Sequence, residues 1–95
     1  MNFVAVMGFW ATGKPWFKLD DGDLVYLVGT ESPRGPCLVP VALGPEMVPP
    51  HEGTKVLVAG CLAQYEDKFY VVATTVREMP VKAVKRVVGW RKDAK

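Results

Sequence analysis

From Thr54 to Pro80 the chain reads TKVLVAGCLAQYEDKFYVVATTVREMP, two apolar runs joined by the polar stretch Gln64 to Lys68. On the first run Val56, Val58, Gly60 and Leu62 share one side, with Leu57, Ala59 and Cys61 on the other. On the second, Phe69, Val71, Ala73 and Thr75 oppose Tyr70, Val72, Thr74 and Val76. Dense β-branched and aromatic residues, apolar on both sides, predict two long strands covered on more than one face. Gly60 interrupts the packing in mid-strand and marks a bulge or sharp bend of the kind a small closed barrel needs.

The rest of the chain up to Pro80 continues in short apolar runs between turn residues. A first strand is expected at about Asn2 to Ala11, then a turn at Thr12-Gly13-Lys14, then a second strand in two pieces, Trp16 to Leu19 and Leu24 to Gly29. Asp20-Asp21-Gly22-Asp23 separates the pieces, and its Asp-Gly step makes either a tight hairpin or a bulge. Glu31 to Pro36 reads as a loop because its two prolines and its glycine remove ladder donors and favour turns. Cys37 to Leu43 is a third strand. Gly44 to Gly53, GPEMVPPHEG, holds three prolines. Since interior proline costs a helix about 3 kcal/mol, this connector is expected to be irregular.

These runs resemble an oligonucleotide/oligosaccharide-binding (OB) fold in their order. The last two strands carry the resemblance as hydrophobic run, glycine, apolar pair, polar turn, Lys68-Phe69-Tyr70, then an alternating run ending Arg77-Glu78-Met79-Pro80. The first two carry it as FVAVMGFW, ATGK and PWFKLDDGDLVYLV: a strand, a Gly-containing turn, and an aromatic second strand leading into an acidic turn. The resemblance covers roughly Met1 to Pro80 and is nearest to the members that bind single-stranded nucleic acid, the single-strand DNA-binding and replication-protein-like modules. It implies an all-β chain, a five-stranded OB-like barrel, and a ligand groove on its surface.

After Pro80 the period changes. At about 100° per residue, Val81, Ala83, Val84, Val87, Val88 and Trp90 fall on one half of a helix, with Lys82, Lys85, Arg86, Gly89 and Lys92 on the other. A short C-terminal helix is therefore expected, giving a barrel over residues 1–80 and a basic amphipathic helix or tail over 81–95. Four valines and Gly89 are mediocre helix formers, so such a helix needs a surface to pack on, either its own barrel or another subunit.

Charge separates the same two parts. The overall +2 conceals six basic residues against Asp93 alone in 81–95, a net +5, and six basic against nine acidic in 1–80, a net −3. Phosphate neutralisation supplies much of the affinity for nucleic acid, so an acidic barrel looks to the basic segment for cations.

Ninety-five residues, 49% of them hydrophobic, suffice for one core and one domain. No run approaches the ~20 apolar residues of a membrane span, and no secretory pattern opens the chain, so a cytoplasmic protein with no membrane partner is expected. Cys37 and Cys61 are the only cysteines and His51 the only histidine. No Cys-x-x-Cys spacing is present, so the thiols are expected to be buried and reduced, with no metal site. Asp20, Asp21 and Asp23 lack the remaining ligands of a calcium loop, and neither a nucleophile motif nor a phosphate-binding glycine loop occurs. A non-enzyme without cofactor is expected.

The candidate ligand residues are aromatic and basic. Trp10 and Trp16 flank the first turn, Tyr26 lies on the second strand and Tyr65 tips the last hairpin, where rings stack bases of any sequence. Lys14, Lys18, Arg34, Lys68 and Arg77 lie near the same elements, and Lys82, Lys85 and Arg86 belong to the basic segment. Trp16 and Lys18 share one face, with Phe17 and Leu19 on the other, so that one side is core and one faces a ligand. Phe3, Phe9, Phe17 and Phe69 are assigned to the core. Two functions follow: a module binding single-stranded DNA or RNA, with DNA favoured, or an assembly subunit that binds a second copy or another protein through the barrel and the valine stripe.

Overall fold

The computed structural model describes residues 2–79. The helix expected over 81–95, with Lys82, Lys85 and Arg86, lies outside them. Six strands follow in chain order: β1 (Val4–Trp10), β2 (Phe17–Lys18), β3 (Leu24–Ser32), β4 (Gly35–Leu43), β5 (Lys55–Tyr65) and β6 (Lys68–Glu78). Five of them run around a barrel in the order β1-β5-β6-β4-β3, closed by a β1–β3 pairing, and β2 hangs on β3 as a short flap. All pairings are antiparallel except β4–β6. The described residues contain no helix, and the closed mixed barrel is consistent with an OB-like fold.

Alternation places the core. Val4, Val6 and Trp10 on β1 point inward, as do Tyr26 and Val28 on β3, Val41 and Leu43 on β4, Val56 and Val58 on β5, and Val71 and Ala73 on β6. In a barrel of this size the side chains of the staves fill the interior. Fully burying each valine contributes about 1.5–3 kcal/mol. Trp10 and Tyr26, read from the sequence as ligand residues, are only 0% and 5% exposed and belong to this core. Phe9, assigned to the core, is 54% exposed, because it alternates with Trp10 and the inward phase of β1 belongs to Val4, Val6 and Trp10.

The bulge expected at Gly60 is present, with its extra residue on the opposite strand. Ala59 pairs with Thr75 and Gly60 with Ala73, so Thr74 is left without a partner. The slip reverses the phase of β6, and Val76 rather than Thr75 packs on the core. Gly60 is required here because a Cβ would run into the carbonyl of Val72.

The β5–β6 hairpin is longer than its neighbours. β1 pairs with β5 no further than Gly60, and β4 pairs with β6 only at Val41 and Ala42. The outer half of the hairpin is therefore uncovered, and Leu62 and Phe69, though in the inward phase, are exposed. Cys61, just past the bulge, and Cys37, towards the far end of β4, are likewise exposed free thiols, which corrects the expectation that they are buried. Phe3 is exposed as well, and Phe17 is half-buried.

One connection differs from expectation. Glu31 to Pro36 is not a loop: β3 and β4 stay paired to Ser32–Gly35, leaving Pro33-Arg34 as a two-residue turn. The Ser32 hydroxyl donates to the Gly35 carbonyl at 2.7 Å, and Gly35 takes a positive φ of 115°. The proline at 36 pairs with Glu31 inside the ladder. Of the two alternatives open at Asp20 to Asp23, the structure takes the tight hairpin, β2 folding back on β3. Gly44 to Gly53 is irregular as expected, tied to β1 where Gly53 N donates to the Trp10 carbonyl at 2.7 Å.

Candidate functional site

The β2 flap is fixed by its backbone. Trp16 N donates to the Val25 carbonyl at 2.6 Å, Leu19 N to Asp23 at 2.8 Å, and Asp23 N to the Asp21 carboxylate at 3.0 Å. Gly22 completes the turn at φ 97°. Val25 and Ala42 alternate with the inward Tyr26 and Val41, so they lie on the outer side of β3–β4. There Phe17, Leu19 and Tyr70 cover them, forming a second small apolar cluster. Phe17 and Leu19 thus pack against the barrel while Trp16 and Lys18 are exposed, as their alternation predicts.

Three rings meet on this cluster. Trp16 lies edge-on to Phe17 at 5.1 Å, and Phe17 lies 6.2 Å from Tyr65, which arrives from the end of β5. Trp16 is 49% and Tyr65 37% exposed beside the half-buried Phe17 ring. Phe17 is the member that sequence reasoning assigned to the core and that the fold makes the link. Its signal was present in the alternation of Trp16, Phe17 and Lys18, but its contact with Tyr65 spans nearly fifty residues and leaves no local trace.

Of the basic candidates, Lys18 on the flap and Lys68, paired with Tyr65, belong to the elements that bear these rings, and Lys14 lies in the loop leading to the flap. Arg34 occupies the β3–β4 turn and Arg77 the far end of β6 opposite Leu57, away from the rings. Carboxylates share the neighbourhood: Asp20, Asp21 and Asp23 in the flap turn, Glu66 and Asp67 at the hairpin tip. Partial burial, then Asp21 and Glu46, raise the Asp23 carboxyl above its ordinary value of 3.8. Among the described residues no three His, Cys, Asp or Glu side chains gather to hold a metal ion, and no helix is long and apolar enough to cross a membrane.

The outer side of β3–β4 continues beyond the rings. Leu27 and Pro40, then Gly29 and Leu38, then Glu31 and Pro36 form successive outward pairs. At the Gly29 pair the surface opens into a groove of about 520 Å³ between Phe9 and Leu38, with Met7, Pro36, Cys37 and Lys55 along its walls. Gly29 makes its floor, and Phe9 and Leu38 are 54% and 60% exposed. No family model matches the chain, and no curated protein matches it in sequence.

Proposed function

We propose that the barrel is a non-catalytic module that binds single-stranded nucleic acid across the outer face of β3–β4. The observation that carries this reading is the ring cluster of Trp16, Phe17 and Tyr65. It stands where the loop after the first barrel strand and the last hairpin flank that face, the position at which OB barrels take oligonucleotides. Bases stack on Trp16 and Tyr65, and Lys14, Lys18 and Lys68 meet the phosphates. Five carboxylates in the two adjoining turns oppose those lysines, so the cations of residues 82–92 complete the charge balance. Stacking is indifferent to the sugar, and single-stranded DNA is the first ligand to test.

The test is an anisotropy titration of a labelled single-stranded oligonucleotide across a salt series. Affinity falls steeply with salt, because bound phosphates release counterions. Trp16→Ala and Tyr65→Ala each weaken binding by about 1–3 kcal/mol without lowering the melting temperature. Absence of binding at low salt, or affinity unchanged in both variants, rejects the reading.

A second reading, an assembly subunit, is favoured by the open groove around Phe9 and Leu38. Exposed apolar grooves of this kind take an apolar occupant.

A further inference from the structure

We infer that the Phe9–Leu38 groove, with the open edge of β1 beside it, takes a short, extended, uncharged segment of another protein as an added strand, an inference that rests on the assembly reading of that groove. Backbone directions identify the open groups. Trp10 N donates to the Thr54 carbonyl, on the β5 side, and Ala11 N to the Leu27 carbonyl of β3, each at 2.8 Å. These directions alternate along an extended strand, so Ala5, Met7 and Phe9 aim their N–H and C=O groups towards β3. Yet β3 pairs with β1 only at Phe9 and Trp10. The Met7 carbonyl accepts the Thr30 hydroxyl at 2.7 Å. Among the described residues, the Met7 N–H and both backbone groups of Ala5 have no strand beside them.

Edge and groove are continuous. Met7, Gly8, Thr30 and Glu31 line the groove, and β1 and β3 part between them. A backbone paired with Ala5 and Met7 therefore lays its outward side chains against Met7 and into the space between Phe9 and Leu38. The two charges on the groove walls, Glu31 and Lys55, are of opposite sign, so an uncharged occupant suits it. A second copy of β1 fits less well: pairing its Ala5 with Met7 would set its Phe3 beside Phe9, the place that Gly29 of β3 fills. A short separate segment ends before that point.

Other strand edges are blunted. Leu27 turns its carbonyl to β1, so Val28 and Thr30 face β4, their partners Val39 and Cys37 face back, and Pro36 and Pro40 occupy turned-away positions of β4. A proline there removes an outward donor. Where β5 runs past β1, the Asn2 side chain accepts from Leu62 N at 2.6 Å and donates to its carbonyl at 3.2 Å. β6 ends in the charged pair Arg77-Glu78. Asn2 to Trp10 holds neither a charge nor a proline, and an edge without such guards is a template for another chain.

The probe is a capped peptide of about six residues, the usual strand length, with valine alternating with threonine. Amide exchange in the full chain, followed by NMR, reads the edge. In the free protein the Ala5 and Met7 amides exchange freely, while Val6, turned to Val58 of β5, is protected. Peptide filling nine-tenths of the sites slows the first two about ten-fold. N-methylation of one alternating set of peptide amides abolishes binding and of the other set leaves it intact, because a strand faces its neighbour with every second residue. Ala5→Pro removes a donor that β5 does not use, and weakens binding about ten-fold at an unchanged melting temperature. Leu38→Glu, at an exposed position, weakens it from the groove side. No slowing at about millimolar peptide overturns the inference, and so do two methylated sets that bind alike, whether or not the proline variant folds. Loss in Leu38→Glu with full affinity in Ala5→Pro overturns strand addition and leaves the assembly reading standing. Ala5 and Met7 amides already protected in the free protein also overturn it, and protection that falls on dilution assigns the edge to a second copy. Nucleic acid takes no part in the assay, so its failure leaves the proposed binding function standing and the converse also holds.

Discussion

The indole of Trp10 lies 5.2 Å from the ring of Tyr26, tilted by 41°, and the pair closes the barrel interior where β1 meets β3. Trp10 is held from both sides, its N–H donating to the Thr54 carbonyl at 2.8 Å and its carbonyl accepting from Gly53. Among the described residues its indole Nε1 is buried with no hydrogen-bond partner. A ring is retained there for its volume, at the expense of a desolvated donor.

Trp10→Ala should therefore cost about 3–5 kcal/mol of stability, as deletion of a large core aromatic does. Trp10→Phe, which removes the orphan donor and keeps most of the ring, should cost clearly less. Urea unfolding of the two variants measures both values. A stable Trp10→Ala protein with altered oligonucleotide binding would return this residue to the ligand surface.

Gly60 and Gly29, both in barrel strands, should respond differently to an added methyl group. Gly60→Ala drives a Cβ against backbone, the Val72 carbonyl and Ala73, which cannot yield as a side chain does, and is expected to cost at least the 1–3 kcal/mol typical of overpacking, given as a rough range. At Gly29 the nearest atom to a Cβ is Leu38 Cδ2 at 3.8 Å, an ordinary contact, so Gly29→Ala should be tolerated. Thermal melts of the pair decide the matter, and equal losses would contradict the bulge geometry.

Phe17 couples the two exposed rings. Aromatic contacts of this kind are worth about 0.5–1.5 kcal/mol each, so Phe17→Ala should unseat both Trp16 and Tyr65. Binding of single-stranded DNA, measured well below the melting transition, should weaken at least as much as in Trp16→Ala. Phe17→Leu should keep most of the stability and still bind poorly. Full affinity in either variant would show that Trp16 and Tyr65 stand without Phe17.

Asp23 sets a pH dependence whose sign can be worked out. Its carboxyl is raised from 3.8 by partial burial, then by Asp21 and Glu46. The folded state therefore binds the proton more tightly than the unfolded chain, and the charged form carries a penalty present at neutral pH and absent below the unfolded value. Asp23→Asn keeps the backbone bonds of the turn and should raise the melting temperature at neutral pH. The gain should vanish by about pH 3, where the native carboxyl is protonated in both states. A gain of equal size at both pH values would trace the effect to something other than this charge.

Much of this molecule was decided locally. Alternation with β-branched residues set the hairpin of β5 and β6, the proline content of Gly44 to Gly53 kept that connector irregular, and Gly60 announced the bulge. The opposed faces of Trp16 and Phe17 were also readable, because strand periodicity is a property of the chain itself. Tertiary structure decided which of two apolar phases faced inward. On β1 both Phe9 and Trp10 are large and aromatic, and only closure against β3 and β5 buried one and exposed the other. It likewise decided that the outer half of the hairpin outruns its neighbours, leaving Cys61, Leu62 and Phe69 uncovered, since a strand's length says nothing of its partners' lengths. The meeting of Phe17 with Tyr65, and the groove that Gly29 opens between Phe9 and Leu38, arise from residues distant in sequence. Such contacts are set by the order in which strands pair around the barrel, which composition and periodicity do not encode.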